Sequence, residues 1–340
     1  MRNRGLAGTV VIIALFAAAA WLSWPGAALA AGCGFMDPAH ARDLPSRISA
    51  VACRENRLWY EPFIDTDGRL ASAGVAEMEA SRLSDGATPA WKRVVDYWRG
   101  SGLLHAMASR PGASTCEYVN NDSYASPNCR GFLVDTPWSA AFISYVMVQS
   151  GVPGFRSSPS HVDYVRDAYR NPDSPFTLLD PDSASPARGD LLCYVRGDAS
   201  SVDGHAGLVR WLAANPSSSL AMHCDVVVNV DGKQADLVGG NVQHSVTMRM
   251  LPVNRNGRFW NLPRGPSTAC NPANPKACSF NQQNWAALLK LKPGLPMLAP
   301  PSTPAWDATP RPQQCCVNCV VGSGVPRCPK PASSVPVPRD

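Results

Sequence analysis

The sequence predicts an α+β protein in which N-terminal helices pack on a small antiparallel sheet. Two patterns carry that reading. Up to about residue 170 the apolar residues recur at helical spacing. From Gly189 to Leu251 they alternate or fall into short apolar runs bounded by glycine, asparagine and aspartate.

Residues 1–30 stand apart. Arg2 and Arg4 precede an apolar run from Leu6 to Trp24, and Ala28-Leu29-Ala30 is a small-residue cleavage site, which together read as a secretory signal peptide. The stretch LAAGC, ending at Cys33, also has the outline of a lipoprotein signal, so a membrane is expected only if the signal stays uncleaved or Cys33 is lipidated. All 12 cysteines follow the signal, and an even number in an exported chain reads as mostly disulfides in the periplasm or outside the cell. Their pairing stays open, and Cys193, inside the apolar run Leu191 to Val195, is the one most easily left unpaired. The formal net charge is +5, with two of the positive residues in the signal. That excess is too small to argue for nucleic acid, and it suits an anionic envelope polymer.

The segment 31–114 is expected to be helical. Ile48, Val51, Ala52, Leu58 and Trp59 share a face, and Thr88-Pro89 starts a second helix whose Trp91, Val94, Val95 and Trp98 form one side before Gly100. The segment 115–263 carries the candidate chemistry. A helix over 137–150, capped by Thr136, is apolar nearly all round, and a second runs from His161 to Tyr169. Strands are expected at Gly189 to Val195, Gly204 to Leu212 and Cys224 to Val230, then two more around Gly239-Gly240 between Ala235 and Leu251. The segment 264–340 reads as a proline-rich linker and a tail pinned by disulfides through Cys315, Cys316, Cys319 and Cys328. A zinc site there is disfavoured in an oxidising compartment, and the tail suits a protein partner or an anchor.

Ser139 is the first candidate residue. With Thr136 and Pro137 ahead of it, it falls in the first turn of a buried helix, where a lone hydroxyl needs a partner. His205 follows a glycine at the start of an alternating stretch, and Asn241 follows two glycines. His161 begins a helix and suits a substrate-binding or proton-donating group lining a cleft. His244 shares the spacing of Val242, Val246 and Met248 and reads as core, while His40, His105 and His223 have no partner in sequence. Neither a phosphate loop nor a zinc-protease motif stands out, so no cofactor or metal is expected.

The stretches PWSAAFISYVMVQSGV, GDLLCYV, GHAGLV and GGN follow the order of the CHAP and related papain-like amidases of peptidoglycan. PWSAAFIS, the stretch from Ser158 to Tyr164, and PAWKRVVDYW more closely resemble the bacterial domain of unknown function 2272, over about Ile48 to Leu251. The resemblance implies a papain-like fold with Ser139 at the nucleophile position, His205 as general base and Asn241 orienting the imidazole. Trp138, His161 and Tyr164 are expected at substrate-binding positions. The departure is at Ser139, where the papain-like amidases carry cysteine. A thiol can share its proton with histidine beforehand, whereas a serine hydroxyl must lose it during attack. Two functions stay open: an exported hydrolase of an amide or ester bond, with a peptidoglycan stem peptide as target, and a non-catalytic peptidoglycan-binding or scaffolding protein on the same fold. A disulfide-stabilised domain with no working cleft is a third.

Overall fold

A computed structural model describes residues 33–34, 37–77, 81–119, 125–197, 202–264 and 270–300. The signal peptide and the four tail cysteines lie outside the described residues. Helix α1, Leu44–Leu58, starts where Asp43 accepts a hydrogen bond from the Ser46 N–H at 2.7 Å, with Pro45 in its first turn. Ile48, Val51 and Ala52 are buried on its inner face. Helix α2, Ala90–Gly100, follows Pro89 and buries Trp91, Val94, Val95 and Trp98 as their spacing predicts. The short α3, Leu103–Ala106, and α4, Ala125–Asp135, lead to α5, Ser139–Gln149, whose first nine residues are all buried. Helix α6, His161–Arg170, and α7, Gly204–Ala214, complete the helices.

The described residues form an eight-stranded sheet: β1 Phe63–Ile64, β2 Leu70–Ser72, β3 Phe176–Leu179, β4 Leu191–Val195, β5 Met222–Val230, β6 Gln234–Val242, β7 Ser245–Pro252 and β8 Asn284–Leu291. Its spatial order is β2-β1-β7-β6-β5-β4-β8-β3. Every pairing is antiparallel except that of β1 with β7. Helices α1 and α5 pack against β5 and β6, and their apolar residues join Cys193, Cys224, Val226 and Val238 in the larger core. The alternate residues of the strands, among them Leu192, Tyr194, Val227, Leu237 and Trp285, meet Phe259 and Leu262 in a smaller one. The architecture is therefore α+β, with a larger sheet than the sequence predicts.

Four expectations are corrected. Strand β8 falls in the stretch read as linker and pairs with both β4 and β3, so the boundary at 263 lies inside the fold. The stretch Gly204 to Leu212 is a helix: Leu208 and Leu212, four apart, are the fully buried positions, and the alternation through Val209 and Trp211 is incidental. The β6–β7 turn is Gln243-His244, not the glycine pair. Both residues have positive φ, 52° and 60°, as a two-residue hairpin turn between Val242 and Ser245 requires. His244 therefore leaves the core, its side chain 72% exposed.

The eight described cysteines form four disulfides, Cys33–Cys53, Cys116–Cys129, Cys193–Cys224 and Cys270–Cys278, which fit an oxidising, extracytoplasmic compartment. Cys193 is paired after all, directly across β4 and β5. Cys33, bonded to Cys53, has no free thiol to carry a lipid. No single helix among the described residues is long and apolar enough to cross a membrane.

Candidate active site

Ser139 is the first residue of α5, two positions nearer the helix end than a Thr136 cap implies. The backbone N–H groups of that first turn have no partner within the helix, and the helix dipole favours negative charge beside them. Ser139 is 5% exposed, and its Oγ lies 2.8 Å from Nε2 of His161, the first residue of α6. Tyr164, one turn further along α6, fixes the two helices together. Its hydroxyl lies 2.6 Å from the Ala140 carbonyl, 2.8 Å from that of Ser158 and 3.2 Å from Ser144 Oγ. Burial pushes the Tyr164 phenol far up, so it stays a neutral donor.

A second histidine stands beside the first. The rings of His161 and His223 are 5.2 Å apart at 47°, and Tyr194, opposite His223 on β4, lies 5.2 Å from the His223 ring. His223 Nε2 lies 2.8 Å from Asp225 Oδ1, because residues two apart on β5 share a face. Arg249, from β7, donates through Nε to Asp225 Oδ2 at 3.1 Å, and through Nη1 to Asn281 Oδ1 at 3.0 Å and to the Phe280 carbonyl.

These contacts set the charges. Burial pushes the Asp225 carboxyl up, but His223, as neighbouring charge and as donor, and then Arg249 outweigh it and bring the pKa down to about 2. Burial first, and then the neighbouring His223, hold the His161 imidazole well below its usual range, so it is neutral at pH 7. Burial raises Tyr194 to about 12.

The two glycines before Asn241 make room for this arrangement. A Cβ at Gly239 would stand 1.8 Å from Asp225 Oδ1, and one at Gly240 would stand 2.4 Å from the Cβ of Phe142. The pair thus admits the carboxylate in β6's flank and lets α5 settle directly on the strand.

The trio Ser139, His205 and Asn241 is not assembled. His205 sits on α7 with Nδ1 2.9 Å from the Ala286 carbonyl of β8, three strands across the sheet from β6. At normal strand spacing that separates it from Asn241 by about 14 Å. Asn241, with φ 55°, lies past the last β5–β6 pair, Val226↔Val238, in an irregular part of β6. Two of the expected substrate-binding residues are likewise inside. Trp138 is fully buried, stacked on Trp59 at 5.8 Å and Tyr97 at 5.5 Å, and Tyr164 spends its hydroxyl on helix backbone. His161 is the third, and it faces Ser139.

Behind α5 lies a second buried polar cluster. Glu55, of α1, receives Arg93 through Nε at 2.8 Å and Nη2 at 2.6 Å and the Tyr97 hydroxyl at 3.0 Å. Tyr97 in turn accepts from Trp59 Nε1 at 2.8 Å, and Arg93 reaches the Tyr145 hydroxyl at 2.8 Å. This cluster holds the aromatic floor on which Trp138 rests.

Among the described residues no group of three or more histidine, cysteine or acidic side chains is placed to hold a metal ion. No curated protein and no solved structure matches the chain. A family model does, over residues 85–291, from the turn before α2 to the last residue of β8. The chain belongs to the bacterial family described as uncharacterized protein conserved in bacteria (DUF2272).

Proposed function

We propose that the chain is an exported hydrolase that cleaves an amide or ester bond in the cell envelope, a peptidoglycan stem peptide being its target, with Ser139 as nucleophile. The observation that carries this is the 2.8 Å contact between Ser139 Oγ, at the first residue of a buried helix, and an imidazole held neutral. A buried serine bonded to a neutral imidazole at a helix N-terminus is the arrangement that acyl transfer needs. The order of elements supports a papain-like reading. A nucleophile helix is followed by the strand behind Gly189-Asp190, then by a strand opening near a histidine, then by β6. In that order the position given to His205 belongs to His223.

Serine brings its own demands. Its proton must leave as the bond to the carbonyl carbon forms, so an imidazole must accept it during attack. The first-turn N–H groups of α5 suit the oxygen on which charge develops. A site with two imidazoles, one of them backed by a carboxylate, meets the first demand.

A second reading is favoured by burial. Ser139 is 5% and His161 4% exposed, which suits a non-catalytic peptidoglycan-binding or scaffolding protein that keeps the cleft without using it. Digestion of purified peptidoglycan sacculi by the exported chain, residues 31–340 with disulfides formed, separates the two. Released peptides from wild type and none from Ser139→Ala support the hydrolase. A silent wild type beside an active Ser139→Cys would sink it in favour of the scaffold.

A further inference from the structure

The two neighbouring imidazoles, His161 bonded to Ser139 and His223 beside it, differ in what holds them, and the difference fixes where their protons sit. His161 is bonded at one nitrogen only: Nε2 meets Ser139 Oγ, while Nδ1 is buried and has no hydrogen-bond partner among the described residues. His223 is bonded at Nε2 to Asp225, an ionised carboxylate that can only accept.

A neutral imidazole carries one proton. On Nδ1 of His161 it would be a buried N–H without an acceptor, the rarest kind of unsatisfied group in folded proteins. On Nε2 it makes the 2.8 Å bond to Ser139 Oγ, and the atom left over is a bare lone pair. Burial keeps a second proton off the ring. On His223 the carboxylate fixes a proton on Nε2, so Nδ1 holds the lone pair whenever the ring carries a single proton.

We propose that His161 is a hydrogen-bond donor to Ser139 Oγ, and that His223, with its tautomer fixed by Asp225, is the group that accepts the serine proton. This rests on the reading of Ser139 as nucleophile and divides the labour at that site. As Oγ bonds to the carbonyl carbon, its O–H bond breaks. The proton passes to Nδ1 of His223, directly or across one water, and the carbonyl electron pair moves onto oxygen. When the C–N or C–O bond of the substrate breaks, the same proton goes to the departing amine or alcohol, and water hydrolyses the acyl-serine by the same route. The His161 N–H holds Oγ throughout and stabilises the charge that builds on it, a service that a serine needs and a thiolate does not.

Two measurements test the assignment. The first is nitrogen-15 NMR of the histidine-labelled exported chain at pH 7, which reads the protonated nitrogen of each ring without any substrate. Both rings are expected protonated at Nε2, and a His161 proton on Nδ1 would overturn the proposal. The second is the rate at which Ser139 is labelled by a fluorophosphonate probe in His161→Gln, His161→Ala and His223→Gln. Glutamine keeps an N–H near the position of Nε2 but cannot act as a base. His161→Gln is therefore expected within about tenfold of wild type, with His161→Ala and His223→Gln down about hundredfold or more. A His161→Gln as slow as His161→Ala, with His223→Gln near wild type, would make His161 the base. A wild type that takes no label removes the nucleophile reading, and the NMR result still decides the tautomer of His161.

Discussion

Glu55 and Asp225 are both buried carboxylates facing an arginine, one behind the first turn of α5 and one in front of it, yet they end in different chemistry. Around Glu55 the cluster continues through a second arginine, Arg54 at 3.4 Å, and through Tyr97, Tyr145 and Trp59, and burial holds the two phenols protonated across the physiological range. Arg93 is held there far above its usual range, by Glu55 first among the groups that oppose its burial. Around Asp225 the second partner is an imidazole, next to another imidazole and a serine. The same ion pair thus closes one network on groups that do not exchange protons near neutrality and opens the other onto groups that do. The first holds a shape, and the second can pass a proton.

The comparison can be broken most directly at Glu55. Glu55→Ala removes the nearer of the two carboxylates that face the buried Arg93, the other being Asp96 at 3.3 Å, and is expected to cost about 3–5 kcal/mol in denaturant unfolding. A loss below about 1 kcal/mol would mean that the rear cluster is not what supports Trp138 and α5. Next come the glycines. Gly240→Ala must push Phe142 away and Gly239→Ala must displace the Asp225 carboxylate, each costing about 1–3 kcal/mol by overpacking. Only Gly239→Ala should also disturb the His223 nitrogen-15 signals, and equal disturbance by both would erase the distinction between helix seat and carboxylate slot.

The network around Asp225 loses stability toward acid in two steps of the same sign. His161 has a folded pKa below its unfolded value of about 6.5, so the unfolded chain binds the extra proton and stability falls as pH drops below that value. The slope contributed by this one group reaches at most about 1.4 kcal/mol per pH unit. His161→Gln should flatten the unfolding midpoint between about pH 6.5 and 5, and an unchanged slope would show that this ring is not held neutral. Asp225, at about 2 in the folded state, contributes stability that is lost only below about pH 4. The smallest effect is expected at the surface, where Arg264 donates to both oxygens of Asp182 at 3.1 and 2.8 Å. Asp182→Asn should move stability by no more than about 1 kcal/mol, since exposure screens the pair despite its geometry.

Ser139 was legible because a hydroxyl among apolar neighbours in a first helical turn demands a partner. The partner was not legible, since it starts a different helix 22 residues on and only the packing of Tyr164 against Ala140 brings the two helix starts together. His205 misled because glycine before histidine looks alike at the start of a strand and of a helix. His223 and Asp225 did leave a signal: two polar residues two apart in an alternating strand must share a face, and an acid so placed can orient a histidine. Asn241 was misread through its neighbours. Its glycines answer to Asp225 and Phe142, which lie on other elements and leave no mark in the local sequence.

Strand β8 also has a meaning in time. The strand that carries Tyr194 finds one of its two neighbours in β5 and the other only at Asn284–Leu291. Half of the hydrogen bonds of β4 therefore wait for some of the last described residues to arrive, a long-range closure of the kind that slows folding. A chain that emerges from its N-terminus has Ser139, His161, His223 and Asp225 in place before the strand that completes the sheet framing them. The arrangement around Ser139 is thus a property of the finished polypeptide, and a chain that lacks β8 lacks the frame around it.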